Sequence, residues 1–273
     1  MPDLVLPAFL AAHTQSVLVV IDEARGSTPR DRGTVMLVAE KAIWGTIGGG
    51  QFEFMAIDNA RALLAGGGET EMDIPLGPEI GQCCGGRTRL SFSLMTPEIA
   101  RSLGERLSQE EEQNPAVFLF GAGHVGLALA RALAPLPLAV TVVETRAEAI
   151  GDLPDGVTVR HVALPEAVVA EIPAGGAVVI LTHDHALDFL IAREALARPD
   201  LPYVGMIGSA TKRATFASWL KREGTEGGLI DRLVLPIGGT TVRDKRPAVI
   251  AALVAAELLT VLGSTVREPA ADR

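Results

Sequence analysis

The chain has 273 residues, 48% of them hydrophobic and 21% charged, a composition that folds and can bury one large core or two modest ones. Its formal net charge of −9 sets aside a general binder of nucleic acid or of an anionic membrane, either of which is normally basic. No stretch reaches the apolar length that crosses a bilayer, and "MPDLVLPAFLAAHTQS" has neither a basic region nor a signal-peptide cleavage pattern. The expected location is therefore the cytoplasm, where thiols stay reduced.

"SVLVVIDEA" reads as a strand and "TVMLVA" as the next. Between them, "EARGSTPRDRG" gathers Arg25, Arg30 and Arg32 with Ser27 and Thr28. Arginine forks suit phosphate or carboxylate, and a cationic cluster in an acidic chain is informative. "IGGGQFEFMAIDNARALLAGGG" reads as a helix with glycines at both ends. Phe54, Ile57, Ala60, Arg61 and Leu64, spaced three and four apart, form its mostly apolar face. Before it, the amides of Gly48, Gly49 and Gly50 can cradle an anion, and Glu53 falls in the first turn as a cap or an electrostatic group. "GQCCGG" holds the chain's only two cysteines, Cys83 and Cys84. They cannot make a disulfide framework, so they are packing residues, ligands or reactive groups. Neighbours on an extended segment point opposite ways, so one thiol is expected to face a ligand. "RTRLSFSLM" alternates as a half-buried strand, and "SQEEEQNP", residues 108–115, reads as a linker or a helix end. The expected organisation is a smaller α+β domain over 1–108, a linker over 109–115 and a second domain over 116–273.

In that second part, strands and helices alternate. "AVFLF", "LAVTVVE", "AVVILT" and "YVGMIG" read as strands. "HVGLALARALAP", "LDFLIAREALA" and "ATKRATFASWLKREG" read as helices. This pattern predicts an α/β domain, a Rossmann-like doubly wound parallel sheet covered on both faces. "PAVIAALVAAELLTVL", with Glu257 its only charge, reads as a buried helix packed on the sheet or on another subunit, so a homodimer is possible.

Chemistry-bearing residues cluster at the strand ends. Gly121, Gly123 and Gly126 make G-x-G-x-x-G between a strand and a helix, the setting of a phosphate- or dinucleotide-binding turn. His124 lies within it, and Glu144 closes the next strand, where an acid can meet a ribose hydroxyl. "LTHDHALD" places His183, Asp184, His185 and Asp188 beyond another strand, as groups for a divalent metal or a pterin-like ring, or with an aspartate as helix cap. Ser209, Lys212 and Arg213 open the helix after "GMIG" and suit an anion. "PIGGTTVRDKRP", with Gly238, Gly239, Arg243 and Lys245, is a third glycine-rich loop that can face the same crevice.

Together, "ARGSTPRDRGTVMLV", "GTIGGGQFE", "GQCCGG", "FGAGHVGLALA", "VTVVETR", "THDHALD", "YVGMIGSATKR" and "PIGG…KRPAVIAALVAAEL" resemble the XdhC/CoxI family of xanthine dehydrogenase accessory proteins, in order and over nearly the whole chain. The resemblance implies a chaperone that binds the molybdenum cofactor (molybdopterin) and protects it. It also implies sulfuration with a cysteine desulfurase and insertion into the molybdenum subunit of xanthine dehydrogenase. Cofactor biosynthesis proteins would be further partners, and the chain would catalyse no turnover of its own. A soft thiolate, Cys83 or Cys84, suits the molybdenum, and the anion loops suit the phosphate. Glu144 stands where the family more often has aspartate. The alternatives are an NAD(P)-dependent oxidoreductase using the glycine fingerprint, and a redox sensor using the vicinal thiols.

Overall fold

The computed structural model describes residues 6–78, 85–224 and 228–266. Two units divide the chain, Met1–Ser108 and Gln109–Arg273.

The first unit is built on a five-stranded antiparallel sheet of β1 (Ser16–Arg25), β2 (Val35–Ala39), β3 (Ile43–Gly45), β4 (Glu71–Pro75) and β5 (Arg87–Leu94), in the order β3-β2-β1-β5-β4. Alternation sorts its side chains to two faces. Val17, Val19 and Ile21 of β1, with Met36, Val38, Leu90 and Phe92, pack under helix α2 (Gly50–Leu64). Leu37 and Ala39 point the other way, toward α1 (Leu6–Ala12) and Leu103 of α3 (Pro97–Glu112). The spacing of α2 correctly marks a helix but puts Phe54 on its buried face. The buried stripe is instead Phe52, Ala56, Ile57 and Ala60, and Phe54 is 60% exposed. Both sets satisfy a 3.6-residue period, and docking on the sheet selects the one led by Phe52. Residues 109–112 of the expected linker are the last turn of α3, leaving 113–115 outside regular structure.

The second unit carries a parallel sheet of β6 (Ala116–Phe120), β7 (Ala139–Glu144), β8 (Thr158–His161), β9 (Ala177–Ile180), β10 (Tyr203–Met206) and β11 (Leu233–Val234), in the order β11-β10-β9-β6-β7-β8. Counted within the unit, this is the doubly wound Rossmann order. Val117, Leu119, Ala177 and Val179 face α4 (His124–Leu133) and α7 (Pro247–Val266). Phe118, Phe120, Val178 and Ile180 face α5 (His185–Leu196) and α6 (Ala210–Arg222). Nearly all residues of the inner strands are thus buried on one side or the other, the exceptions being Ala116, Ala139 and Thr141, which is why these strands read as largely apolar runs.

Helix α7 packs on the sheet, as one of the two expectations has it, and does so through one face. Ala251, Val254, Ala255, Leu258 and Leu262 are buried, whereas Ala252, Ala256 and Leu259 are exposed. Its single charge, Glu257, accepts a hydrogen bond from the buried Tyr203 hydroxyl at 2.7 Å. Burial and the neighbouring carboxylate together raise the pKa of that phenol.

Candidate functional site

Strand order reverses between β6 and β9, the place where open α/β sheets bind ligands. The turn after β6 carries the glycine fingerprint, and two of its glycines answer to the fold itself. Gly121 has φ +115°, and a Cβ there would lie 2.6 Å from the Leu181 carbonyl oxygen beyond β9. A Cβ on Gly126 would lie 2.0 Å from the Gly121 carbonyl oxygen. Gly123 differs: its φ is −68°, and a Cβ would meet nothing within 4 Å. Nothing in the protein requires glycine at that position, so its missing side chain leaves space above the turn for a ligand. His124 next to it is exposed, and so are His183 and His185 on the adjoining loop after β9.

Glu144, expected to face a ribose, instead turns into the turn. It is only 4% exposed. Oε2 accepts from the Ala122 amide (2.8 Å) and Arg146 Nη2 (2.9 Å), and Oε1 accepts from the Thr145 and Arg146 amides (2.8 and 3.0 Å). Burial pushes this carboxyl up, but Arg146 and the three amides outweigh it and hold the pKa at about 2. A carboxylate so enclosed ties the glycine turn to the end of β7 and offers no free acceptor. Because its folded pKa is depressed, its stabilisation is complete above about pH 4.5 and fades as pH falls toward 2. Glu144→Gln is expected to lower stability by about 2–3 kcal/mol at neutral pH, with the gap to wild type falling to about half by pH 3. Urea denaturation of both proteins across that range checks this.

The groups beyond β9 and β10 also pair inward. Asp184 caps α5 by accepting from the Ala186 amide at 2.8 Å, one of the readings open in the sequence. Asp188 is fully buried, accepts from the Thr182 hydroxyl at 2.7 Å and forms an ion pair with Lys212, whose side chain is 9% exposed. Lys212 also donates to the Ile207 carbonyl at 2.9 Å. Arg213 donates to the carbonyls of Ile230 (2.7 Å) and Leu233 (2.8 Å). The basic pair expected to meet an anion therefore clamps backbone and a buried acid, while Ser209 stays exposed. Among the described residues, no group of three or more His, Cys, Asp or Glu is arranged to hold a metal.

In the first unit, three glycine-rich loops meet at one end of the sheet. Arg25 closes β1 opposite Arg87, and Pro75 closes β4 opposite the same residue. Just beyond, the Leu76 amide donates to the Gly86 carbonyl (2.8 Å) and the Gly85 amide to the Leu76 carbonyl (2.9 Å). These bonds fasten both ends of the loop that carries Cys83 and Cys84, which themselves lie outside the described residues. A Cβ on Gly86 would lie 2.2 Å from the Ser27 carbonyl oxygen and 2.7 Å from that of Arg25, so the arginine loop runs directly over Gly86. A Cβ on Gly48 would lie 2.5 Å from Pro29 Cβ and 3.6 Å from Arg30 Cγ. Thus Arg25 and Ser27 lie against the anchors of the cysteine loop, and Gly48 packs on Pro29 and Arg30 further along the same arginine loop.

Charge at this end is partly answered from within. Glu23 pairs with Arg25 (2.7 Å) and Arg89 (3.3 Å). Arg87 binds Asp73 through two bonds, 2.6 and 2.9 Å, and holds that carboxyl below its ordinary pKa. Among the described residues, Arg30 and Arg32 are exposed and have no ion-pair partner. The glycine cradle is filled by the chain's own acid. Glu53 Oε2 accepts from the amides of Ile47 (3.0 Å) and Gly49 (3.1 Å) and from the Thr46 hydroxyl. Glu53 fixes the loop, and Gly49 and Gly50 bring no evident anion hole beyond it. Sequence reasoning missed the partners Glu23, Asp73 and Arg146. For Glu23 the signal is an opposite charge at a matched strand position, Arg89, visible only in the strand register; Asp73 meets Arg87 on the neighbouring strand, whereas Arg146 stands two residues after Glu144 and is local in sequence.

Residues 117–258 match the profile of the XdhC Rossmann domain, and residues 9–74 match that of the XdhC and CoxI family. The chain belongs to the XdhC/CoxI family. Among relatives of this XdhC-family protein, YqeB of Escherichia coli (strain K12) is 27% identical over 252 residues, 88% of this chain. The chain spans 42% of that relative's length. A crystal structure from Bacillus halodurans described as a xanthine dehydrogenase aligns with a TM-score of 0.77 at 17% identity, covering 98% of this chain and 96% of that one. That likeness shows a shared fold. No described helix is long and apolar enough to cross a membrane.

Proposed function

We propose that this protein is a molybdenum-cofactor chaperone of the cytoplasm, without a turnover reaction of its own. It binds and protects the cofactor, supports its sulfuration by a cysteine desulfurase, and delivers it to the molybdenum subunit of xanthine dehydrogenase. Cofactor biosynthesis proteins are the expected donors. The observation that carries this reading is the meeting of Arg25 and Ser27 with the anchors of the only cysteine-bearing loop, with Arg30 further along the same arginine loop, in a chain of the XdhC/CoxI family.

The residues suit such a ligand. Bound molybdopterin supplies a phosphate, a fused pterin and a dithiolene-held molybdenum centre. The exposed guanidinium groups of Arg25 and Arg30 and the Ser27 hydroxyl are donors for the phosphate. Cys83 or Cys84 supplies a soft thiolate toward the metal. The open space above Gly123, flanked by His124, His183 and His185, is a second place where polar side chains can meet a pterin edge.

Anaerobic purification followed by pterin fluorescence and molybdenum analysis tests the proposal. Cofactor is expected to bind with a Kd of about 10 μM or tighter. One of Cys83→Ala and Cys84→Ala should weaken binding about tenfold or more, and the other should change it little. A well-folded protein that binds no pterin at micromolar concentration overturns the reading.

An NAD(P)-dependent oxidoreductase is the alternative. The fingerprint supports it, but the enclosure of Glu144 removes the acceptor a ribose needs. Calorimetry with NAD and NADP is expected to show no binding at about 1 mM, and micromolar binding accompanied by dehydrogenase activity would establish the alternative.

A further inference from the structure

A cavity of about 390 Å³ lies in the second unit between the turn after β10 and the loop joining β11 to α7. Its floor is aliphatic: Ile207, Pro236, Ile237, Val242, Ile250 and Leu253. Its size falls among small-molecule sites. Both walls are held in place from behind. Lys212, paired with buried Asp188, bonds the Ile207 carbonyl, and Arg213 bonds the carbonyls of Ile230 and Leu233. These two cations of the first turn of α6 are thereby engaged elsewhere, and the cavity draws its charge from the opposite loop.

That loop contributes Arg243, Asp244 and Lys245. Asp244 is gripped by its neighbour Arg246, Nε at 2.8 Å and Nη2 at 2.5 Å, which holds its carboxyl below the usual range. Arg243 and Lys245 have no ion-pair partner among the described residues. Two uncompensated cations therefore border an aliphatic floor in a protein of net charge −9. Val242, which precedes them on the loop, is 44% exposed, an apolar surface that a bound molecule would cover.

This balance selects a ligand class. A carboxylate brings one negative charge, whereas a phosphate monoester brings about −1.5 to −2 at neutral pH and three strong acceptors. Inorganic phosphate alone would leave the aliphatic floor uncovered, so the ligand needs an organic body. We infer that this cavity is a separate binding site for an organic phosphate monoester of nucleoside monophosphate size. Its phosphate meets Arg243 and Lys245, and its body lies on Ile207, Ile237, Ile250 and Leu253. Its lining includes no residue of the glycine turn after β6, and the inference does not depend on the molybdenum-cofactor reading.

The test is calorimetry on the full chain at low salt, with AMP as probe and adenosine and inorganic phosphate as its separated parts. AMP is expected to bind with a Kd below about 1 mM, and each part about tenfold more weakly or worse. Replacing Arg243 and Lys245 together by alanine should weaken AMP about tenfold or more. Both positions are exposed or nearly so, and an unchanged melting curve confirms the fold. Gly123→Ala, whose new methyl meets open space in the other crevice, should leave AMP binding unchanged. The inference is overturned by absence of AMP binding at about 1 mM, or by inorganic phosphate binding as tightly as AMP. It is equally overturned by an Arg243/Lys245 variant with wild-type affinity, or by loss of binding in Gly123→Ala.

Discussion

Gly86→Ala is expected to destabilise the first unit by about 2–4 kcal/mol and to weaken cofactor binding about tenfold or more. The backbone conformation of Gly86 lies outside the left-handed region, so its need for glycine is one of space. The added methyl would fall 2.2 Å from the Ser27 carbonyl oxygen and 2.7 Å from that of Arg25. Both contacts are with backbone, so no side chain can rotate away. The backbone cannot retreat easily either, because Arg25 pairs with Arg87 in the ladder and Leu76 bonds both Gly85 and Gly86. Relief requires lifting the arginine loop off the base of the cysteine loop, which is why binding and stability should fall together. Gly77→Ala is the control on the same loop: its new methyl meets nothing within 4 Å, and its φ is not positive. It should cost less than about 0.5 kcal/mol and leave binding intact. Equal behaviour of the two variants would count against the convergence of these loops.

Lys212→Met is expected to cost about 3–5 kcal/mol, because it leaves Asp188 charged and fully buried with only Thr182 to answer it. Asp188→Asn should be destabilising for the reciprocal reason, leaving a nearly buried ammonium beside an amide. The double variant should recover much of either loss, since removing both charges also removes the cost of burying them. The reading of Lys212 as an anion ligand makes the opposite forecast. In that case Lys212→Met would impair ligand binding and leave denaturant stability near wild type. Guanidinium unfolding of the four proteins in the cycle separates the two.

Legibility in the sequence followed burial. β6, β7, β9 and β10 are covered on both faces, so "AVFLF", "LAVTVVE", "AVVILT" and "YVGMIG" announce themselves as unbroken apolar runs between helices. The short strands β3, β4 and β8 escaped notice because they are edges of their sheets, with few buried side chains and mixed polarity. In α2, period alone could not choose between stripes led by Phe54 and by Phe52. At the site, the glycine loops stood out by composition, and Gly121 and Gly126 answered to close approach as their spacing suggests. Charged side chains were harder to place. Arg89 finds Glu23 66 positions away along the chain, Glu144 turns inward to the Ala122 amide of another strand end as well as to its sequence neighbour Arg146, and Lys212 turns to Asp188 of a different helix. A charge in a sequence is equally a ligand or a clamp until its neighbours in space are known.

The central claim is that the loop carrying Cys83 and Cys84, with Arg25 and Ser27 at its base and Arg30 on the same arginine loop, holds the molybdenum cofactor. Its most direct test is an anaerobic titration of the purified protein with molybdenum cofactor, followed by pterin fluorescence, in parallel with Arg25→Ala/Arg30→Ala and each cysteine variant. The account predicts saturable micromolar binding, weakened about tenfold or more by the arginine pair and by one cysteine substitution. Binding that is absent in the folded wild-type protein, or that is indifferent to all of these substitutions, would contradict it.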